Sequence, residues 1–316
     1  MTDFKIASMN RIAEDYRALR EAAGVVDLSG WMVLRLRGAD TRGFLQGTAT
    51  QDFAAPASSA APAEAGVARK TLFLTDKGRP VALAWVSIAP DGASAVLIAD
   101  EGARTGLRAH LERLRIMEDV EFEGAEDMPR VLGVAGPESD PLARAVAASI
   151  PGALAVAAEP LSFALVPRNA PASAIPPFVD PAAFQAWRIC VGLPLMGLDL
   201  SGDRIATELS LPEAISLSKG CYVGQEVVAR TLHRGHVRRH RAGFRFRWTG
   251  ESIPAGTELR VAGVAAGHVT SSAAEPGTGD GLAMGYLTTP TLPHDLDAIA
   301  VEGEKTSHLR PLPWPL

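Results

Sequence analysis

Cysteine is almost missing from this 316-residue chain, in which Cys190 and Cys221 are the only two. Two thiols this far apart exclude a disulfide framework, a close-spaced metal pair and any four-cysteine zinc or iron–sulfur site held by one chain. Long apolar runs are missing too. A membrane-spanning helix needs about 20 apolar residues, and the longest weakly polar stretch, Ala145 to Ala158, is broken by Pro151 and Gly152. The N-terminus carries no apolar signal segment and reads as a helix, so a cytoplasmic protein without membrane contact is expected. Lysine is scarce, 5 against 26 arginines, which genome composition explains as well as any design for anions. The formal net charge of −5 excludes a generally basic nucleic-acid protein and leaves a local patch open.

The remaining composition, 47% hydrophobic and 21% charged, is that of an ordinary globular chain of about two domains. Ile12, Tyr16, Leu19 and Ala23 recur at helical spacing, and Gly24 is placed to cap that helix. Trp31 to Arg37 alternates as a strand, and Asp40 is placed to cap a short helix through Leu45. Residues 54–66 lack large side chains and read as a loop. Strands at 71–75 and 81–88 flank the turn Asp76-Lys77-Gly78-Arg79. A strand at 95–99 precedes a helix bearing Leu107, Leu111 and Leu114, and a β stretch at 131–135 precedes a helix after Pro137. Asp180-Pro181 opens a helix bearing Phe184, Trp187 and Val191. Beyond Arg241, Phe244 to Trp248 alternates strictly. Short strands at 258–261, 267–271, 283–287 and 299–302 follow, as in a small antiparallel barrel or sandwich. The expected class is α+β, with a body over 1–241 and a barrel over 242–316.

The strongest local feature is Lys219-Gly220-Cys221-Tyr222-Val223-Gly224-Gln225-Glu226 followed by Val227-Val228-Ala229-Arg230. Two glycines around a cysteine allow a sharp turn and a close approach to another surface. A helix from Gln225 to His233 would put Cys221 just before a helix N-terminus with Lys219 two residues away, where a thiol tends to ionise. An inert cysteine in a tight turn is the alternative. No acidic residue lies between Glu226 and Glu251, an interval holding Arg230, Arg234, Arg238, Arg239, Arg241, Arg245 and Arg247. That stripe suits phosphate, a polycarboxylate or an acidic protein face; alternatively its arginines pair with acids elsewhere. His233, His236 and His240 have helical spacing, but Gly235 interrupts them and no acid orients them, which argues against a metal site. Gly277 to Gly281 precedes a strand and lacks a lysine, so it reads as a barrel loop rather than a phosphate loop.

The Lys219–Arg230 segment, with Thr231 to Gly235 and Arg238-Arg239, resembles the signature of the YgfZ-type folate-binding proteins. These are relatives of the glycine-cleavage T-protein implicated in iron–sulfur cluster assembly or maintenance. Tyr16 to Arg20 with Gly24 to Ser29, Arg37 to Asp40 with Phe44 to Gly47, the Asp76–Arg79 turn, and Ala186 to Ile189 with Gly192 to Pro194 extend the resemblance along nearly the whole chain. His233 and the arginine pair look closest to the mitochondrial-type branch. The resemblance implies an intertwined α+β body, a C-terminal antiparallel β-barrel and a tetrahydrofolate-type ligand in a central opening. The two cysteines and the interrupted histidines lead to the expectation of no stably bound metal.

Two departures bear on activity. T-proteins carry an aspartate on the strand after the turn, where this chain has Pro80-Val81-Ala82-Leu83-Ala84-Trp85, which cannot handle a proton. They also carry a pterin-binding glutamate where this chain has Cys190, a weak donor and acceptor. The expected function is therefore an iron–sulfur accessory factor, meeting assembly or client proteins, with Cys221 and Lys219 at its functional surface. Gln225, Glu226, Arg230, Arg234, Arg238 and Arg239 would shape that surface and dock an anionic ligand or partner. The alternatives are a tetrahydrofolate-dependent aminomethyl or one-carbon transferase, and an RNA-contacting protein that uses the arginine stripe.

Overall fold

The structure, a computed structural model, describes residues 2–54, 66–123, 129–235, 237–261, 263–288, 298–302 and 305–313. The loop expected at 54–66 therefore lies almost wholly outside the described residues, as does His236. Helix α1 (Thr2–Glu21) leads into β1 (Gly24–Asp27), β2 (Met32–Arg37) and α2 (Thr41–Thr48). Strands β3 (Arg69–Leu74), β4 (Pro80–Ile88) and β5 (Ser94–Ala99), helix α3 (Leu107–Leu114) and β6 (Glu121–Phe122) follow. These strands make an antiparallel sheet in the order β3-β4-β5-β2-β6. Then come β7 (Arg130–Ala135), α4 (Ser139–Ser149), β8 (Leu154–Val156) and β9 (Leu161–Val166), and these three strands join β1 in a second antiparallel sheet, β1-β7-β9-β8.

The two sheets share one core. Trp31 and Trp85 from the first sheet meet Phe163 of the second with ring centroids 5.4–6.0 Å apart. Burial of such rings, with edge and tilted contacts between them, is what holds sheet to sheet. Strand β9 is buried along its whole length and shows no alternation, so periodicity alone could not find it. Gly24 does not cap α1, as expected from sequence, but opens β1. A Cβ there would stand 2.5 Å from Val179 Cγ1, so close packing is what requires the glycine. Asp40 precedes α2 without capping it, because its carboxylate accepts from the Asp119 amide at 2.8 Å instead.

Helix α5 (Pro181–Cys190) begins as its sequence predicts, with Asp180 accepting from the Ala182 amide at 2.8 Å and proline in the first turn. Helix α6 (Gln225–Arg234) ends at Gly235, which takes a left-handed φ of 67°. Six strands then close a barrel: β10 (Arg239–Arg247), β11 (Glu258–Val261), β12 (Val264–Glu275), β13 (Asp280–Thr288), β14 (Ala298–Glu302) and β15 (Lys305–Pro311). The closed order is β10-β13-β12-β11-β14-β15, with β15 pairing back onto β10. Its interior holds Phe244, Phe246, Leu259, Val269, Leu287 and Leu309. Strand β15 is the one barrel strand the sequence reading missed. No helix among the described residues is long and apolar enough to cross a membrane.

Charge as well as apolar surface joins barrel to body. Arg188 of α5 and Asp199 pair at 2.8 Å with both side chains fully buried. Arg188 also donates to Ser271 Oγ at 2.9 Å, and the hydroxyl of Thr270 and the Leu195 amide donate to Asp199. Arg241 lies buried nearby, donating to the carbonyls of Leu209, Gly192 and Ser210. A buried pair of this kind costs desolvation and holds only because every remaining donor and acceptor is met.

Candidate functional site

Cys221 is exposed, and its surroundings are built from two distant pieces of chain. Helix α2 ends at Thr48 in an extended residue, Ala49, with no left-handed glycine to satisfy its last carbonyls. The Thr50 amide bonds the Leu72 carbonyl, so Gln46 O is left without a helical partner. Lys219 fills this gap. Its ammonium donates to Gln46 O, Ala49 O and Gln51 O, each at 2.7 Å, and lies 5.2 Å from the centre of the Tyr222 ring. A cation at a helix C-terminus is also favoured by the helix dipole. Burial pushes the Lys219 pKa down to about 8, and Asp52 pulls the other way, so at neutral pH the three carbonyls still face an ammonium.

Backbone bonds continue the seam. Val223 N donates to Gly47 O at 3.1 Å and Ser216 N to Thr50 O at 2.9 Å, while Thr50 Oγ1 donates to Ala214 O at 2.6 Å. Tyr222 is buried among Leu72, Leu74, Leu209 and Val228. Gly220 and Cys221 thus form a short crest between two anchored flanks, and a Cβ on Gly220 would meet nothing within 4 Å. Behind the crest, Gly224 takes a φ of 84° and a Cβ there would stand 2.6 Å from Thr75 O. The Asp76–Arg79 turn and the start of α6 touch at this point, which is why both need glycine; Gly78 has a φ of 67°.

Lys219 therefore faces inward, not toward the functional surface where the sequence reading put it. The other expected residues divide. Gln225 opens α6 and is half-buried. Glu226 and Arg230 are exposed and pair with each other along the helix. Arg234 closes α6, and Arg238 is exposed on the approach to the barrel. Arg239 is half-buried near Asp203 and His268, whose pKa values it helps lower. Arg241 is buried and spent on backbone carbonyls, and Arg245 grips Glu275 with two bonds of 2.8 Å. The stripe is thus no continuous anion-facing surface. Residues 239, 241 and 245 point out of the barrel; Arg241 is buried there, while Arg239 and Arg245 stay part-exposed.

A second feature lies at the junction of α1, α5 and β3. A cavity of about 740 Å³ is lined by Arg20, Gln51, Lys70, Trp187, Val191 and Glu213, among others. That volume suits a small organic ligand. Arg20 also lines a neighbouring cleft of about 530 Å³ with Tyr16, Arg17 and Gly277. Gln51 belongs to both features, since its carbonyl holds Lys219 and its side-chain amide donates to Glu213 O at 2.8 Å. Sequence reasoning gave no site role to Gln51 or to Arg20, although Arg20 lies in the Tyr16–Arg20 segment of the resemblance. The helix end after Thr48 that lacks a capping glycine was the available signal for the lysine cage.

Cys190 is buried on α5, turned toward α1. Arg20 Nη1 donates to its sulfur at 2.7 Å, and the Tyr16 hydroxyl donates to Glu275 at 3.0 Å. Burial raises the Tyr16 pKa, and Cys190 and Glu275 beside it raise it further. Neither cysteine is in a disulfide. Strand β4 carries no acidic side chain, and among the described residues no group of three or more histidine, cysteine, aspartate or glutamate residues is placed to hold a metal ion.

No family model matches the chain. The crystal structure of the glycine cleavage system aminomethyltransferase T from Bartonella henselae superposes on 96% of this chain and 89% of its own, with a TM-score of 0.78 at 20% identity. The chain has the T-protein fold. Among curated sequences it is similar to the human mitochondrial iron–sulfur cluster assembly factor IBA57, 28% identical over 238 residues, or 69% of this chain. The chain spans about 65% of that relative's length. A chloroplastic protein of Arabidopsis thaliana named as a candidate transferase is 29% identical over 128 residues, covering 38% of this chain and 29% of its own. The resemblance read from the Lys219–Arg230 motif thus has a sequence relative among assembly factors and a structural neighbour among T-proteins.

Proposed function

We propose that this protein is a YgfZ-like accessory factor for iron–sulfur cluster assembly or maintenance, with Cys221 as its functional thiol. The observation that carries this reading is the crest, where an exposed thiol stands on a backbone bonded on both flanks, in a chain similar to an assembly factor. One thiolate cannot hold a cluster by itself, so iron–sulfur assembly or client proteins must supply the remaining ligands. Glu226 and Arg230, exposed on the helix that follows the crest, and the exposed Arg238 would meet such a partner. The chain is read as a body over 1–241 and a barrel over 242–316.

The cavity beside Trp187 fits a tetrahydrofolate-type ligand in size and in kind. Trp187 and Val191 give an apolar wall and Arg20 gives a cation for carboxylates, while Lys70 and Glu213, paired with each other at 2.8 Å, give a polar edge. Bound there, the ligand would supply a reduced pterin able to carry a one-carbon unit. The transferase reading gains no support from the site, because β4 offers no carboxylate to move a proton on that ligand.

In a deletion strain, Cys221→Ser is expected to fail to restore the activity of [4Fe–4S] enzymes while accumulating as folded protein. Full restoration by that variant overturns the reading. Calorimetric titration with tetrahydrofolate tests the cavity separately, and turnover of a methylamine donor with folate would favour the transferase.

A further inference from the structure

We propose that Lys219 is the positioning residue of the Cys221 thiol: its ammonium plugs the carbonyl end of α2 and so holds the crest in its exposed form. This deepens the reading of Cys221 given above and rests on it for its functional meaning, although the positioning itself can be read without any cluster.

The argument starts from unmet acceptors. Three carbonyl oxygens, Gln46 O, Ala49 O and Gln51 O, converge at the end of α2. Without a donor, Ala49 O would be left unpaired inside the protein, and the part-buried Gln46 O and Gln51 O would have to turn to water. An ammonium has three N–H donors that diverge from one nitrogen, which matches three convergent acceptors one for one. A planar guanidinium presents its donors as a fork and cannot meet the same three points equally. The lysine stem then ties residue 219 to α2, while Val223 N on Gly47 O ties the far flank to the same helix end. Only Gly220, Cys221 and Tyr222 lie between these two ties, and the Tyr222 ring is buried against the lysine. The thiol is left exposed on that short span.

Cutting one tie frees the crest. In Lys219→Ala, the amides of Ser216 and Val223, which bond Thr50 O and Gly47 O, are expected to exchange their hydrogens at least about tenfold faster in the purified protein. Lys219→Arg falls between the variant and the native chain. Because the vacated cage is built for R–NH3+, ethylammonium chloride should restore protection in Lys219→Ala in a saturable way. Tetramethylammonium chloride, a cation without N–H donors, should not.

Unchanged exchange in Lys219→Ala, or faster exchange that ethylammonium does not reverse, overturns the proposal. If Lys219→Ala does not fold, folding recovered by ethylammonium and not by tetramethylammonium supports it, and no recovery overturns it. Exchange is read on the isolated protein, so a Cys221→Ser variant that still serves the cell would sink the proposed function and leave the role of Lys219 standing.

Discussion

Cys221 stands exposed on a turn whose two flanks are bonded to the end of α2, whereas Cys190 lies buried in the last turn of α5 beside Arg20 and Tyr16. Around Cys221 the charged group, Lys219, is sequestered so that the sulfur is free. Around Cys190 the sulfur is itself an acceptor, from Arg20, in a polar network that includes Tyr16, Glu275 and Arg245. Burial and partners, not the residue type, separate an exposed thiol from one used as a packing and hydrogen-bonding group. Alkylation with iodoacetamide should separate them too. Cys221 should react as an exposed thiol, and Cys190 should lag by about a hundredfold or more, set by the free energy of local opening.

The largest effect should come from breaking the buried side of this contrast. Asp199→Ala leaves the fully buried Arg188 without its partner, two residues before Cys190, and should cost about 3–5 kcal/mol. Chemical denaturation measures the loss, and Cys190 should become alkylatable at a rate closer to that of Cys221. A native-like Cys190 rate in a strongly destabilised Asp199→Ala would mean that the two features are independent.

Next comes a pH effect on the same side. Burial raises the Asp100 pKa to about 6, although its carboxylate accepts from the Met196 and Gly102 amides. The unfolded chain has the ordinary value near 3.8, so between those values the folded state holds the proton more tightly. Stability from this group is therefore fully present below about pH 4 and is lost as pH rises through about 6, by roughly 2–3 kcal/mol. Asp100→Asn should remove that slope, and an unchanged slope from pH 4 to 6 would assign it to another group.

On the Cys221 side the sharpest probe is glycine. Gly224→Ala puts a Cβ 2.6 Å from Thr75 O at a φ of 84° and should cost about 2 kcal/mol. Gly220→Ala, with open space around it, should be close to neutral. Equal costs at the two positions would mean that the crest is not the shape described.

Much of this was legible in the sequence. The α+β class, a C-terminal antiparallel barrel, the Asp76–Arg79 turn and the Asp180 cap all follow from alternation, helical spacing and turn chemistry that act over a few residues, although the barrel's first strand starts at Arg239 rather than after Arg241. The motif around Cys221 was legible as a resemblance. The direction of Lys219 was not, because the carbonyls that claim it come from residues 46–51, about 170 positions earlier in the chain. Nor was the fate of the arginine stripe. Arg241 and Arg245 sit outside the barrel, as alternation would have it, but at Arg241 the outside of the barrel is the inside of the protein, and the part-exposed Arg245 is taken up by Glu275. Local pattern tells which face of an element a side chain takes, and only the tertiary fold tells what covers that face.

The smallest stability effect belongs to Cys221 itself, and it is the most informative for function. Cys221→Ser exchanges one small exposed group for another and disturbs no packing, so its stability should change by less than about 0.5 kcal/mol. Cys190→Ser, buried against Arg20, should cost more, about 1–2 kcal/mol, because a shorter hydroxyl leaves a gap and alters a hydrogen bond. Support of cluster enzymes should follow the opposite order, lost in Cys221→Ser and largely kept in Cys190→Ser at a temperature where both are folded. If activity instead tracked stability across the pair, the thiols would differ only in packing. The exposed crest would then have no claim to be the working end of the protein.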